Sequence, residues 1–448
     1  MNWYGPLNQL AYHLATRGET MHKALTIAGS DSGGGAGIQT DLKTFAALGV
    51  YGTSVITALT AQNTKGVHGI HAVPADFITC QLEAVLSDIP VQAAKTGMLG
   101  EVAAILAVTA ALTQYRITNL VVDPVMVAES GHRLLKADAV DALRTKLLPL
   151  ALVVTPNLAE AEVLLGRTIE TVDEMVSAAQ DIHKMGPRHV LIKGGHLQGT
   201  EMVDVFFDGK AIFRFSEKKL DTVHTHGTGC TYAAAITAYL AKGYIPLDAV
   251  SRAKRFITAA ISHGVCVGSG YGPTNPMGAL YQELAQKHAS DDLQTALTTL
   301  QKSPYTINLL APGKSNLFTC LENTQLPADI ASFPAPLLRY GCNLEPVGKP
   351  LFDSAMIPGE ALLHAHGANP AISGMINLRC TPEIITALQT QGITVAEHTG
   401  ELTTLHLTTE ALIFRELAED EPQLLLFGQS ATDAAKKTAA LARAFCRC

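Results

Sequence analysis

The chain has 448 residues, of which 47% are hydrophobic and 16% charged. That length exceeds what one hydrophobic core usually organises, so two domains are expected, and the balance excludes a disordered chain. The formal net charge of -7 offers no general attraction for nucleic acid or a membrane surface, so any phosphate must be met locally by backbone amides and a few placed cations.

Residues 1–20, "MNWYGPLNQLAYHLATRGET", lack a basic segment followed by an apolar one and read as a leader of uncertain status, neither signal peptide nor anchor. From Ala24 to about Gly264, short aliphatic runs alternate with amphipathic helical patterns, which predicts a mostly parallel sheet flanked by helices. The predicted strands are "ALTIAG", "GTSVITAL", "AAKTGML", "NLVVDPV", "LVVTPN" and "HVLIKGG". Several end in turn residues, and in open parallel sheets ligands gather at those carboxyl ends. "VDVFFDGKAIFRF" predicts an edge hairpin turning at Asp208-Gly209. A helical stretch over 281–304 reads as a linker to a second, smaller α/β domain over 305–448. Its predicted strands are "TINLLAP", "ISGMINLRC", "ITVAEHT" and "QLLLFGQ", and Ser430 or Thr432 is available to cap its last helix. The eight cysteines are scattered, without zinc-ribbon pairing or disulfide density, and point to a reducing cytoplasm.

Four stretches carry chemistry. "AGSDSGGGAGIQTDL" runs a strand into Asp31 and then a Gly-rich turn, where backbone can approach a ligand and Asp31 can accept from an amino group or hydroxyl. It lacks the Gly-Lys-Ser/Thr ending of a Walker A loop. In "VTPNLAEAEVLL", Asn157 and Glu160 stand three apart at a helix start. They fit either a capped first turn or a pair holding magnesium through its waters. "VLIKGGH" ends a strand in Lys193, able to set an ammonium near a nucleotide phosphate. In "HTHGTGCTYAAAITAYL", Gly227, Thr228, Gly229 and Cys230 present consecutive amides at a helix start, an anion hole for a transferring phosphoryl group. His224, His226 and Cys230 also offer zinc-ligand types within seven residues, but no fourth ligand stands nearby and phosphate explains the glycines better.

Taken in order over residues 21–280, these motifs resemble the ribokinase-like hydroxymethylpyrimidine and phosphomethylpyrimidine kinases of thiamine synthesis, with vitamin B6 kinases sharing much of the pattern. "TAQNT", "KTGML", "DPVM" and "GYGPTNP" add to the match. The resemblance implies ATP and Mg2+ as cofactors and successive phosphorylation of 4-amino-5-hydroxymethyl-2-methylpyrimidine and its monophosphate. It also implies pairing into a homodimer. By the same resemblance Gln62 pairs with the aminopyrimidine, an amide offering donor and acceptor together. Asp31, Gly29, Met98 and Val125 take substrate-pocket positions, with Met126 beside Val125. Cys230 stands where sugar kinases of this fold carry an aspartate base, and a helix amino end lowers a thiol's pKa. A base there favours the first phosphorylation, onto a neutral alcohol, more than the second.

Residues 305–448 resemble a thiamine-phosphate synthase domain, which joins the pyrimidine pyrophosphate to a thiazole phosphate. Arg379 in "INLRC" fits the family's Asn-x-Arg and offers a bidentate fork to phosphate, while Asn316 and Gly313 fit an early turn. The sequence departs at "KPLFDSAMIPGEALLHAHG", where Asp353, Ile357 and Glu360 stand near places the family gives to glycine, histidine and arginine. His364 and His366 substitute only if the local alignment shifts. The domain therefore reads as a divergent synthase or as a ligand-binding module.

Overall fold

The computed structural model describes residues 21–126, 135, 137–195, 201–303, 305–322, 324, 326–341, 343–352, 357–399, 410–415 and 422–445. The leader and Asp353 lie outside them. The chain divides into two compact units after Leu280, each described by itself.

The first unit is built on one nine-stranded sheet. Its strands are β1 (Lys23–Asp31), β2 (Tyr51–Asn63), β3 (Gly66–Ala72), β4 (Ala93–Thr96), β5 (Leu120–Val122), β6 (Val153–Val154), β7 (His189–Ile192), β8 (Glu201–Phe207) and β9 (Ile212–Lys218), in spatial order β3-β2-β1-β4-β5-β6-β7-β8-β9. The run from β2 to β7 is parallel. Antiparallel β3 closes one edge and the β8–β9 hairpin the other. Central strands are buried on both faces, which is why they read as unbroken aliphatic runs. β3, "GVHGIHA", was not expected from the sequence because it is largely exposed and carries no alternation to detect.

Each face of this sheet has its own core. On one side Ile78, Leu82, Ile105, Leu112, Leu164 and Ile182 from four helices pack on Leu25, Ile27, Val122 and Val154. On the other, the helices Thr228–Ala241 and Pro246–Ser262 pack on Ala24, Val121, Val153 and Leu191. Helix Thr228–Ala241 is buried almost all round, so its alanine-rich sequence suits close approach to both the sheet and its neighbour. Its amino end is thereby held at the carboxyl ends of the strands.

The second unit holds a seven-stranded sheet, and its connections differ from the first. Its strands are β10 (Leu317–Cys320), β11 (Ile330–Ser332), β14 (Leu351–Phe352), β15 (Gly374–Arg379), β16 (Val395–Thr399), β17 (Ala411–Arg415) and β18 (Gln423–Gly428), with β12 (Leu338–Tyr340) and β13 (Asn343–Glu345) as a separate hairpin. Only β16–β17 pair parallel among the described strands. β10 shows the period of two: Leu317 enters the core under helices Pro382–Thr390 and Ala431–Phe445, and Phe318 enters the core under helix Ile357–Ala368.

Two expectations change here. "TINLLAP" forms a 3-10 turn at Thr306–Asn308 instead of a strand. The helix expected over 281–304 is present as Gly278–Gln301, but it is no mere linker, since Leu293, Leu297 and Leu300 bury one face of it in the second unit's core. Asp292 from the same helix accepts from the amides of Ala431 (2.7 Å) and Thr432 (3.1 Å), while Ser430 caps Asp433 N–H at 3.1 Å. No helix among the described residues is long and apolar enough to cross a membrane.

Candidate active site

The carboxyl ends of β1, β2, β4, β5, β6 and β7 carry, in turn, Asp31, Gln62, Met98, Asp123, Asn157 and Lys193. Strand polarity alone gathers these residues at one end of the sheet.

Asp31 is 4% exposed, and its carboxylate organises the Gly-rich turn. Oδ1 accepts from Gly33 N–H at 2.8 Å, and Oδ2 from Gly35 and Ala36 N–H at 3.0 and 2.9 Å. His226 Nε2 lies 3.1 Å from Oδ2. Burial alone would raise this carboxyl, but the hydrogen bonds from His226, Gly33 and Ala36 outweigh it and hold it below the usual range. Most of its acceptor capacity thus serves the turn, while Oδ1, with the single partner Gly33, keeps a lone pair for a further donor.

The turn sits against the start of helix Thr228–Ala241. Gly227 has φ +82, and a Cβ there would fall on the carbonyl oxygen of Gly35; a Cβ on Gly35 would fall on the His226 ring. Only glycines allow this approach. Thr228 N–H turns back to the Thr225 carbonyl at 3.1 Å, so it does not join the anion hole expected of it. The amides of Gly229 and Cys230 remain in the first turn, where a helix has no acceptor of its own. Beside them, the Cβ position of Gly229 lies 3.2 Å from Lys193 Nζ and 3.6 Å from Asp123 Oδ2. Lys193 pairs with Asp123 at 2.9 Å, and Asp123 also accepts from Thr155 Oγ1 at 3.0 Å. Burial opposes the Lys193 charge, but Asp123 and Glu160 outweigh it and hold the ammonium charged.

The Cys230 thiol corrects a second expectation. Burial pushes its pKa up to about 11, against the opposing field of Lys95 and a hydrogen bond from Gly37 N–H. At neutral pH it rests as a thiol. The helix amino end does not produce a usable thiolate because desolvation outweighs it and the sulfur, in a part-buried residue, faces Asp41 and Asp123 as well as Lys95.

Asn157 and Glu160 form a capping box: Glu160 N–H donates to Asn157 Oδ1 at 2.9 Å and Asn157 N–H to Glu160 Oε2 at 2.8 Å. Met126 N–H reaches Glu160 Oε1 at 3.4 Å. The capped-turn reading thus describes both side chains. Among the described residues no three histidine, cysteine or acidic side chains converge to hold a metal directly. Glu160 keeps lone pairs on both oxygens that could hold magnesium through its waters. The zinc alternative has no geometry, since His226 turns to Asp31 while the His224 ring packs against Gly264 and Gly272.

Gln62 lies beside the Gly-rich turn, its backbone bridged to Ser32 Oγ at 2.8 Å in both directions. Its Nε2 is 3.3 Å from His226 Nε2, and its Oε1 is 3.2 Å from Thr60 Oγ1. The Met98 sulfur lies 3.2 Å from where a Gly29 Cβ would stand. Val125 is half-buried and Met126 buried next to it. Sequence reasoning missed Lys95 and Asp41, a fully buried pair at 2.8 Å in which Thr26 Oγ1 also donates to Asp41 at 2.6 Å. It missed Asp123 too. A cavity of about 650 Å3 opens at the other ends of these strands, lined by Asn119, Leu152, Arg188 and Tyr244, and contains none of the site residues.

In the second unit Arg379 is exposed at the end of β15. Asn316 is fully buried: its Nδ2 donates to Phe333 O at 2.8 Å and its Oδ1 accepts from Leu317 N–H at 2.9 Å. It organises the sheet and does not reach a phosphate, which corrects the expectation for it. His366 has both ring nitrogens against carbonyls, of Ile372 at 2.7 Å and Glu322 at 3.1 Å, so it is not open to pyrophosphate.

A helix amino end at the carboxyl ends of a parallel sheet, beside a Gly-rich turn with no Walker lysine, is the plan of a ribokinase-like small-molecule kinase. The sequence model described as phosphomethylpyrimidine kinase matches residues 31–275, and the chain belongs to that family. The model of thiamine-phosphate synthase ThiN matches residues 292–440. The chain is 55% identical over 251 residues to the thiamine biosynthesis bifunctional protein ThiED of Geobacter sulfurreducens, covering 56% of this chain and 51% of that one. It is 53% identical over 255 residues to the hydroxymethylpyrimidine/phosphomethylpyrimidine kinase of Rhizobium meliloti, covering 56% of this chain and 96% of that one. The chain thus spans about half the length of the bifunctional relative and nearly all of the kinase. Among solved structures it is similar to an ADP complex of Bacillus subtilis pyridoxal kinase, with TM-score 0.55 and 42% identity over 58% of this chain and 100% of that one. It is also similar to Staphylococcus aureus pyridoxal kinase in complex with AMP-PCP and pyridoxal, with TM-score 0.55 and 38% identity over 58% and 95% of the two chains.

Proposed function

We propose that this chain phosphorylates 4-amino-5-hydroxymethyl-2-methylpyrimidine on its hydroxymethyl group and then converts the monophosphate to the pyrophosphate, with Mg-ATP as donor, in thiamine biosynthesis. The observation that supports this reading is the contact network joining Gln62, His226 and the Gly-rich turn to the helix start at Gly227, which brings the Gln62 carboxamide and a helix amino end into one site.

In this reading Gln62 pairs with the ring nitrogen and exocyclic amine, and Gly29, Met98 and Val125 enclose the ring. The Gly229 and Cys230 amides receive the transferring phosphoryl group, and the charged Lys193 ammonium neutralises phosphate from the side of Asp123. Magnesium would supply further charge neutralisation when bound, and Glu160 and Asn157 are the residues that would hold it through its waters. Phosphoryl transfer through a loose transition state asks for positioning and charge more than for a base. Cys230 therefore acts as a neutral thiol completing the anion hole. The second unit binds a phosphorylated thiamine precursor through Arg379, and two copies of the chain pair as a homodimer.

The relatives named as pyridoxal kinases make a pyridoxine-type alcohol the competing substrate. Full-length protein with Mg-ATP and each alcohol, with and without Gln62→Ala, tests the choice. The reading expects the pyrimidine to be preferred and the substitution to abolish that preference; a preference for pyridoxine, or pyrimidine phosphorylation unaffected by Gln62→Ala, would overturn it. Adding thiazole phosphate to the same mixture tests the second unit through formation of thiamine phosphate.

A further inference from the structure

His226 has one place available to its ring. Its backbone is paired on both sides with the 272–274 segment, through Gly272 O at 3.1 Å and Thr274 N–H at 3.0 Å. Gly35 covers the ring so closely that a Cβ there would fall on it. From that position Nε2 lies 3.1 Å from Asp31 Oδ2 and 3.3 Å from Gln62 Nε2.

The Asp31 carboxylate is ionised and only accepts. A bare Nε2 would set a lone pair against that oxygen, so the proton belongs on Nε2 and points to Asp31. Nε2 then has no lone pair to accept with, and the Gln62 amide nitrogen faces another donor. Turning the terminal carboxamide by half a rotation sets its oxygen against the Nε2–H and its nitrogen against Thr60 Oγ1. That exchange removes the donor–donor contact: the Nε2–H is shared between Asp31 and the Gln62 oxygen, and the Thr60 hydroxyl, which already donates to Ser30 O at 3.0 Å, keeps lone pairs free for the amide nitrogen. One orientation of Gln62 is thus selected by a proton fixed on a neighbouring ring.

The orientation matters for what the amide can read. A 4-aminopyrimidine edge offers a ring-nitrogen acceptor beside an amine donor, and the corresponding pyrimidinone offers a ring N–H beside a carbonyl. A carboxamide fixed one way matches the first and opposes the second; a carboxamide free to turn matches either. We propose that His226 is a specificity-determining positioning residue: held by Asp31 with its proton on Nε2, it fixes the orientation of the Gln62 carboxamide, so that the pocket accepts an aminopyrimidine and refuses the pyrimidinone. This rests on the reading of Gln62 given above.

The test uses full-length protein, Mg-ATP, the aminopyrimidine alcohol and its 4-oxo analogue, and compares kcat/KM for the two. In the wild type the amino compound is favoured. In His226→Ala and, as a second variant of different size, His226→Asn, the ratio of the two falls by about 10-fold or more, the size of one well-placed hydrogen bond. The fall comes from KM: the oxo compound gains while the amino compound loses. A merely structural role would lower both substrates together and leave the ratio alone. A wild-type ratio retained by every folded variant overturns the relay. Failure of the wild type to phosphorylate either pyrimidine overturns the proposed function, and the relay falls with it.

Discussion

Cys230 is the residue whose reading the structure changes most, and its state can be measured. With a pKa of about 11, only about 1 in 3000 of its thiols is ionised at pH 7.5, against about 1 in 11 for a thiol at the ordinary 8.5. The thiolate is the species that alkylates, and its smaller fraction outweighs the greater nucleophilicity of a more basic sulfur, so Cys230 should react with iodoacetamide more slowly than such a thiol, by about 10-fold or more. Cys80 and Cys266 are exposed and supply the reference rate in the same digest, followed by mass spectrometry of the three peptides. The kinetic counterpart is Cys230→Ala, which should lower kcat/KM for the alcohol and for the monophosphate by similar factors, since an organiser of the anion hole serves both. Cys230 alkylating as fast as Cys80 at pH 7.5 would refute the argument. So would a limb of the pH–rate profile near neutrality that governs only the alcohol reaction and vanishes in Cys230→Ala.

Gly227→Ala combines a left-handed backbone position with a Cβ driven onto the Gly35 carbonyl. It should cost at least about 1–2 kcal/mol in stability and raise the KM for ATP, checked by thermal melts and initial rates. Lys95→Met leaves Asp41 buried without its cation and should destabilise by about 3–5 kcal/mol in urea. The double variant Lys95→Met/Asp41→Leu should recover much of that loss, because it removes the stranded charge. Asp292→Ala strips the acceptor from the two leading amides of helix Ala431–Phe445. It should cost about 1–2 kcal/mol, seen in the urea melt, with Asp292→Asn costing less.

What was legible in the sequence was local. The Gly-rich turn, the Asn157/Glu160 pair and the Gly227–Cys230 helix start each lie within a few residues, so their geometry follows from spacing and residue type. The edge hairpin at Asp208-Gly209 was legible for the same reason. What was hidden lies between distant residues. Lys95 meets Asp41 across 54 positions and Lys193 meets Asp123 across 70, and no pattern along the chain announces such pairs. The Cys230 pKa was misjudged because a helix amino end is visible in sequence, whereas the burial that outweighs it is a property of packing. Asn316 shows the same limit, since a turn-like asparagine next to a strand reads the same whether it faces a ligand or ties down Phe333 and Leu317. The second sheet's order was illegible because short strands with similar runs suit antiparallel and parallel pairing alike.

The central claim is that the first unit carries two successive phosphorylations of one pyrimidine. Phosphorus-31 NMR of full-length protein with 4-amino-5-hydroxymethyl-2-methylpyrimidine, ATP and magnesium follows both directly. The account predicts a monophosphate resonance that rises first and is then replaced by the two resonances of the pyrophosphate ester. ADP without any pyrimidine phosphate, or a pyridoxine phosphate formed in preference when both alcohols are supplied, would contradict it.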